Sequence, residues 1–147
     1  MLKQQGRGHI VNVASCAGIA SFPEMSCYNV TKAGVISLSE TLKMELAPFN
    51  IGVTLLAPTF FQTNLMDQFY SPEPRQRQLA ERFFEKSRCT AEDVARHTYW
   101  AVKRDTFYVL PQADAKLVWL VKRLAPELYV KGMAWGYKMG LADKLLS

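Results

Sequence analysis

Long hydrophobic runs are missing from this chain. No stretch approaches the roughly eighteen consecutive apolar residues that a membrane-spanning helix needs. The opening residues, "MLKQQGRGHIVNVAS", show neither the apolar core nor the small-residue cleavage site of a signal peptide. Cysteine is scarce: Cys16, Cys27 and Cys89 are odd in number and form no Cys-x-x-Cys pair. That argues against a disulfide framework and for a reduced, cytoplasmic setting with the thiols as small core or loop residues. Histidine is scarcer still. His9 and His97 lie far apart with no ligand spacing to the cysteines, so no metal site is expected. The net charge of +5 is spread along the chain and no nucleic-acid-binding motif occurs, so nucleic acid is not an expected partner. Repeats, low-complexity tracts and Gly-rich turns are absent; the eight glycines are scattered.

What is present is the composition of one packed domain: 147 residues, 49% of them hydrophobic. "GHIVNVAS", from Gly8, is a nearly continuous apolar run, the pattern of a strand buried on both faces. Val35, Leu38, Leu42 and Leu46, with Ile36 as an alternative member, recur at helical spacing and predict a helix from Tyr28 to about Ala47. Pro48 and Asn50-Ile51-Gly52 end it. "IGVTLLA", Ile51 to Ala57, is a second buried strand stopped by Pro58. Strand, helix and strand make one βαβ unit, with parallel strands and a right-handed crossover.

Further on, Thr90 and Asp93 give a capping signal for a helix from about Ala91 to Arg104. "TFYVLP" predicts a third short strand, and "QFYSPEPRQRQ" reads as a linker inside the domain. Two helices broken at Pro126 follow. In this tail Lys116, Lys122, Arg123, Lys131, Lys138 and Lys144 alternate with apolar and aromatic residues. Such helices either pack on the domain or lie in a membrane interface, lysines toward anionic headgroups.

Three residues carry a chemical signal. Ser15 closes the first strand, Tyr28 follows thirteen positions later, and Lys32 stands four beyond it. Tyr28 and Lys32 therefore rise from one helix face. A phenol is a poor proton donor or acceptor at neutral pH, and a neighbouring ammonium favours its ionised form. Ser15 lies outside the carboxyl end of a buried strand, where α/β sheets present ligands, so its hydroxyl could bond a substrate oxygen whose charge changes. The pair alone means little, because Tyr99 and Lys103 repeat the spacing. Only the first pair has a strand-terminal serine upstream; Lys86 occupies that place before Tyr99.

"GHIVNVAS", the Ser15–Tyr28–Lys32 spacing and "NIGVTLLAPTFFQTNL" together resemble the C-terminal, catalytic half of a short-chain dehydrogenase/reductase. The resemblance implies an α/β, Rossmann-like parallel sheet, here its last three strands with flanking helices over residues 1–112, and a helical tail over 113–147. It implies hydride transfer between NAD or NADP and a carbonyl or alcohol. Ser15 would orient the substrate, Tyr28 would act as acid and base, and Lys32 would hold the nicotinamide ribose. After the second strand the family carries Pro-Gly-x-x-x-Thr around the nicotinamide carboxamide. Pro58 and Thr63 match, Thr59 replaces the glycine, and Phe61 falls within the segment. Phe60 and Leu65 would face substrate, and the apolar "PTFFQTNLMDQFY" stands at the family's substrate lid, implying a lipophilic substrate. The resemblance further implies a homo-oligomer built through the 28–47 helix.

A Gly-rich phosphate-binding turn would lie ahead of Met1 in that fold, as would the residues that distinguish NAD from NADP. "MLKQQGRG" would be the end of the helix before the serine strand. Two expectations follow. One is an oxidoreductase whose catalytic half is this chain. The other is a non-catalytic remnant or partner-binding chain that cannot hold the cofactor alone.

Overall fold

The structure is a computed structural model in which residues 1–63, 67, 73–141 and 143 are described. Three strands form one parallel sheet in the order β1 (Gly8–Val13), β2 (Ile51–Leu56), β3 (Tyr108–Val109). β1 and β2 pair in register from Gly8 opposite Ile51 to Val13 opposite Leu56. β3 adds only Tyr108 and Val109, opposite Leu55 and Leu56. The third strand is thus shorter than "TFYVLP" suggests, although Leu55 N–H to Phe107 O and Ala57 N–H to Val109 O continue the pairing around it.

β2 is central, and its continuous apolar run is buried save Gly52. Its one buried hydroxyl is satisfied: Thr54 Oγ1 donates to Thr106 O at 2.9 Å and accepts from His9 Nε2 at 2.8 Å. β1 lies at the sheet edge, so Val11 and Val13 are exposed rather than doubly buried.

The crossover is α3 (Ser26–Leu46), closed by a 3₁₀ turn, Ala47–Phe49, and by Asn50 in the left-handed conformation. Leu46, Ile51 and Val53 pack there with Leu42 and Ile10. One expected core position moves. Leu38 is exposed, and Ser39 takes the inward place. Positions 35, 39, 42 and 46 define the true inner face, and the polar Ser39 disguises it. Its hydroxyl accepts from Asn12 Nδ2 at 2.9 Å and donates to Val35 O at 2.6 Å, fastening α3 to β1.

A short α1 (Leu2–Gln5) leads into β1, and α2 (Ala17–Ala20) follows it. The expected linker is helical in its second half: α4 (Pro74–Lys86) starts with Pro74, whose missing N–H costs nothing in a first turn. α5 (Ala91–Lys103) begins with the expected capping box, Asp93 N–H to Thr90 Oγ1 and Thr90 N–H to Asp93 Oδ2, each 3.1 Å. The tail forms α6 (Ala113–Leu124) and α7 (Pro126–Lys138), separated at Pro126. It packs on the domain: Ala115 joins Cys16, Ala20, Ala57 and Leu110 in one cluster, flanked by Trp119 and Tyr129. Burial, with Asp114 adding, pushes the Cys16 thiol up to about 11, as befits an inert core residue.

Candidate active site

The site is built at the carboxyl ends of β1 and β2. Past the formal strand ends the backbones stay zipped, Ala14 N–H to Leu56 O and Cys16 N–H to Pro58 O, both 2.8 Å. Ser15 and the Pro58-Thr59 segment are thereby set side by side. Ser15 Oγ accepts the Ala17 N–H at 3.1 Å, which opens α2 and leaves the hydroxyl proton available.

Tyr28 and Lys32 sit on the first turns of α3, one above the other. Lys32 Nζ reaches across to donate to Val13 O at 3.3 Å, two residues before Ser15. It lies 5.6 Å from the Tyr28 ring centroid. Tyr28 is exposed. The ammonium thus touches both the strand end that carries Ser15 and the ring that carries the phenol. The Tyr99–Lys103 pair has nearly the same internal geometry, 5.7 Å, but sits on α5, where Tyr99 stacks edge-on against Trp100. Placement at the strand ends separates the two pairs.

The other expected residues divide. Pro58 is buried, and Thr59 is partly buried with its N–H donating to Gln112 Oε1 at 3.1 Å and its hydroxyl to Asp114 Oδ1 at 3.4 Å. Thr59 is absent from the residues with positive φ, so threonine replaces the family's glycine without backbone strain. Phe60 stacks on Phe83 of α4 at 4.9 Å and meets Phe84 edge-on at 5.1 Å. The Phe61 side chain packs against the cluster of Leu56, Val94, Ala101 and Val109. Thr63 is exposed. Leu65 lies outside the described residues.

Several supports are missing from the sequence reading. Gln112 spans the Pro58–Phe60 loop, its amide also donating to Phe60 O at 3.3 Å, and Ser87 Oγ donates to the same carbonyl at 2.8 Å. Gly18 lets α2 approach α3 closely: a Cβ there would stand 2.6 Å from the Lys32 carbonyl carbon. Ahead of Tyr28, Asn29 Nδ2 donates to Phe22 O at 2.7 Å. Glu24 accepts from Arg75 of α4 and, at 3.1 Å, from Tyr137 Oη of α7, while Arg75 also binds Asp143 at 2.7 Å. These are long-range contacts that no local pattern announces.

Comparison with known proteins agrees with this fold. The family model described as short chain dehydrogenase matches residues 1–74. Dehydrogenase/reductase SDR family member 4 from Rattus norvegicus is 34% identical over 80 residues, 54% of this chain and 29% of that protein. The Homo sapiens protein of that name is 30% identical over 108 residues, 74% of this chain and 39% of its own length. A Burkholderia phymatum short chain dehydrogenase/reductase, solved in complex with NAD, superposes with a TM-score of 0.76 at 31% identity, covering 87% of this chain and 51% of that one. The chain spans about half or less of the length of these relatives. The chain belongs to the short chain dehydrogenase family.

Proposed function

We propose that this chain is the catalytic half of an oxidoreductase that interconverts an alcohol and a carbonyl with NAD or NADP. The observation that carries the reading is the Lys32 ammonium joined to Val13 O beside Ser15 and poised over the Tyr28 ring. The donor set suits a nicotinamide nucleotide. Of the three protons on Lys32 Nζ, one is committed to Val13, which leaves donors for a ribose diol beside the exposed Tyr28 hydroxyl. The Pro58–Thr63 backbone, pinned by Gln112 and Ser87, would line the carboxamide end. When bound, the nicotinamide supplies or accepts a hydride. Ser15 orients the substrate oxygen and stabilises its developing charge. Tyr28 gives that oxygen a proton or removes one, and Lys32 holds the ribose beside it.

The NAD-bound Burkholderia relative supports this cofactor class. Phe60, packed with Phe83 and Phe84 next to Thr59, would offer an apolar surface to a lipophilic substrate. Copies of the enzyme would associate through the outer face of α3, where Val30, Leu38 and Met44 are exposed.

A second reading, a partner-binding chain that holds no cofactor alone, is favoured by β1. Its outer edge is unpaired among the described residues, and Val11 and Val13 are bare. Dinucleotide titration separates the two. In an enzyme completed by the missing sheet half, Lys32→Ala should weaken NADH or NADPH binding about tenfold or more, as expected for a hydrogen bond from a charged donor, and turnover should fall with it. Unchanged binding and turnover would remove Lys32 from the site. Absence of dinucleotide binding by the wild-type protein would select the second reading.

A further inference from the structure

The tail helices use one face to pack and leave another bare. Ala115 is fully buried against the domain, and Tyr129 Oη donates to Ala20 O at 2.9 Å. Away from that contact, Leu117, Leu120 and Leu124 form a stripe on α6 at helical spacing. Leu128, Trp135 and Met139 do the same along α7 and its C-terminal end. All six are between 46% and 75% exposed. A soluble face of this length normally carries polar residues at those positions.

The flanks of both stripes are basic. On the helical wheel Lys116 and Arg123, seven residues apart, border the α6 leucines, and Lys131 and Lys138 border Leu128 and Trp135 in the same way. Arg123 lies over the Trp119 ring at 5.1 Å, and Lys131 approaches Glu127 at only 3.9 Å. Among the described residues Lys116 and Lys138 make no ion pair. The acid near this row that turns inward is Asp114, which accepts from Thr59 and from the Ala115 N–H.

We propose that α6 and α7 lie in the interface of an anionic membrane, with the Leu117–Leu120–Leu124 and Leu128–Trp135–Met139 stripes among the acyl chains and the four basic residues at the headgroups. The charge pattern selects this occupant. A second copy docked face to face would set basic rows against each other, whereas anionic lipids neutralise them. Indole and leucine on the apolar side and lysine and arginine on the flank are the composition that interfacial helices need. The contact is peripheral, because no helix among the described residues is long and apolar enough to cross a membrane.

The test requires no turnover. The full chain is mixed with phosphatidylcholine vesicles, with or without phosphatidylglycerol, and sedimented, while tryptophan fluorescence is recorded. The proposal expects sedimentation with the anionic vesicles, a blue-shifted emission, and release at about 1 M salt, where charges are screened within a few ångströms. Leu120→Gln/Leu124→Gln/Trp135→Gln, all surface changes, should lower the partition coefficient about tenfold or more with an unchanged circular dichroism spectrum. Lys116→Gln/Lys138→Gln should reduce the preference for anionic vesicles. Tyr99→Gln, which removes an exposed aromatic residue on α5, should change nothing. Absence of vesicle binding, or binding insensitive to the tail variants, overturns the proposal. So does a concentration-dependent dimer that the triple variant abolishes without any vesicle binding, which would assign the face to a second copy.

Discussion

At the scale of single residues, a side chain's role here follows from what its neighbours leave it free to do. His9 is an example outside the site. Thr54 spends its proton on Thr106 O, so His9 Nε2 donates to Thr54 Oγ1, and Nδ1 lies against Gly52. Burial pulls the imidazole below its ordinary value; Asp105 opposes that and Lys43 reinforces it. Protonation then costs the folded state more than the unfolded chain. The His9 contribution is present in full above about pH 6.5, the value of an unfolded histidine, and is lost as pH falls through the lower folded value. Urea unfolding from pH 8 to 5 should show stability declining through that window, and His9→Gln, which keeps a donor toward Thr54, should flatten the decline. An equal slope in both proteins would assign the pH dependence elsewhere. Asp93 is held low chiefly by the Thr90 backbone and hydroxyl, so its loss falls at more acidic pH and does not confuse the reading.

At the scale of elements, the close approach of α2 to α3 governs the site. Gly18 packs against the α3 backbone at Lys32, so a methyl there must push the two helices apart. Gly18→Ala should cost about 1–3 kcal/mol, as overpacking does, and should weaken dinucleotide binding because Lys32 moves. Gly34, on the open side of the same helix with nothing within 4 Å, is the counterpart. There the alanine should stabilise by roughly 0.5–1 kcal/mol. Thermal unfolding of both variants checks the pair, and an equal response would mean that α2 does not bear on α3. The same contact shows why parts of the sequence were legible and others were not. β1, β2, α3, α5 and the break at Pro126 announce themselves through local periodicity and caps, and the Ser15–Tyr28–Lys32 order reads directly from strand end to helix. Ser39 and Leu38 exchange their expected places because a hydroxyl satisfied by Asn12 and Val35 packs as well as a methyl group. Gln112, Ser87 and the Arg75–Glu24 link act across long sequence separations, so no window of the chain contains their reason.

At the scale of the molecule, the three-stranded sheet with its exposed β1 edge, the outer face of α3 and the bare stripes of α6 and α7 are three separate surfaces, each suited to a different neighbour. As proposed above, they face the rest of the sheet, a second copy and a lipid surface. In the proposed reaction the Tyr28 hydroxyl exchanges the proton with the substrate oxygen. Steady-state kinetics of Tyr28→Phe in the completed enzyme tests this most directly, because the substitution removes one exposed oxygen and leaves the packing intact. Turnover should fall by about 10²–10⁴, the usual contribution of a general acid or base, with Lys32-dependent cofactor binding retained. Tyr99→Phe, whose lysine neighbour sits at nearly the same distance, should keep full activity. Near-normal turnover by Tyr28→Phe would remove this hydroxyl from the chemistry.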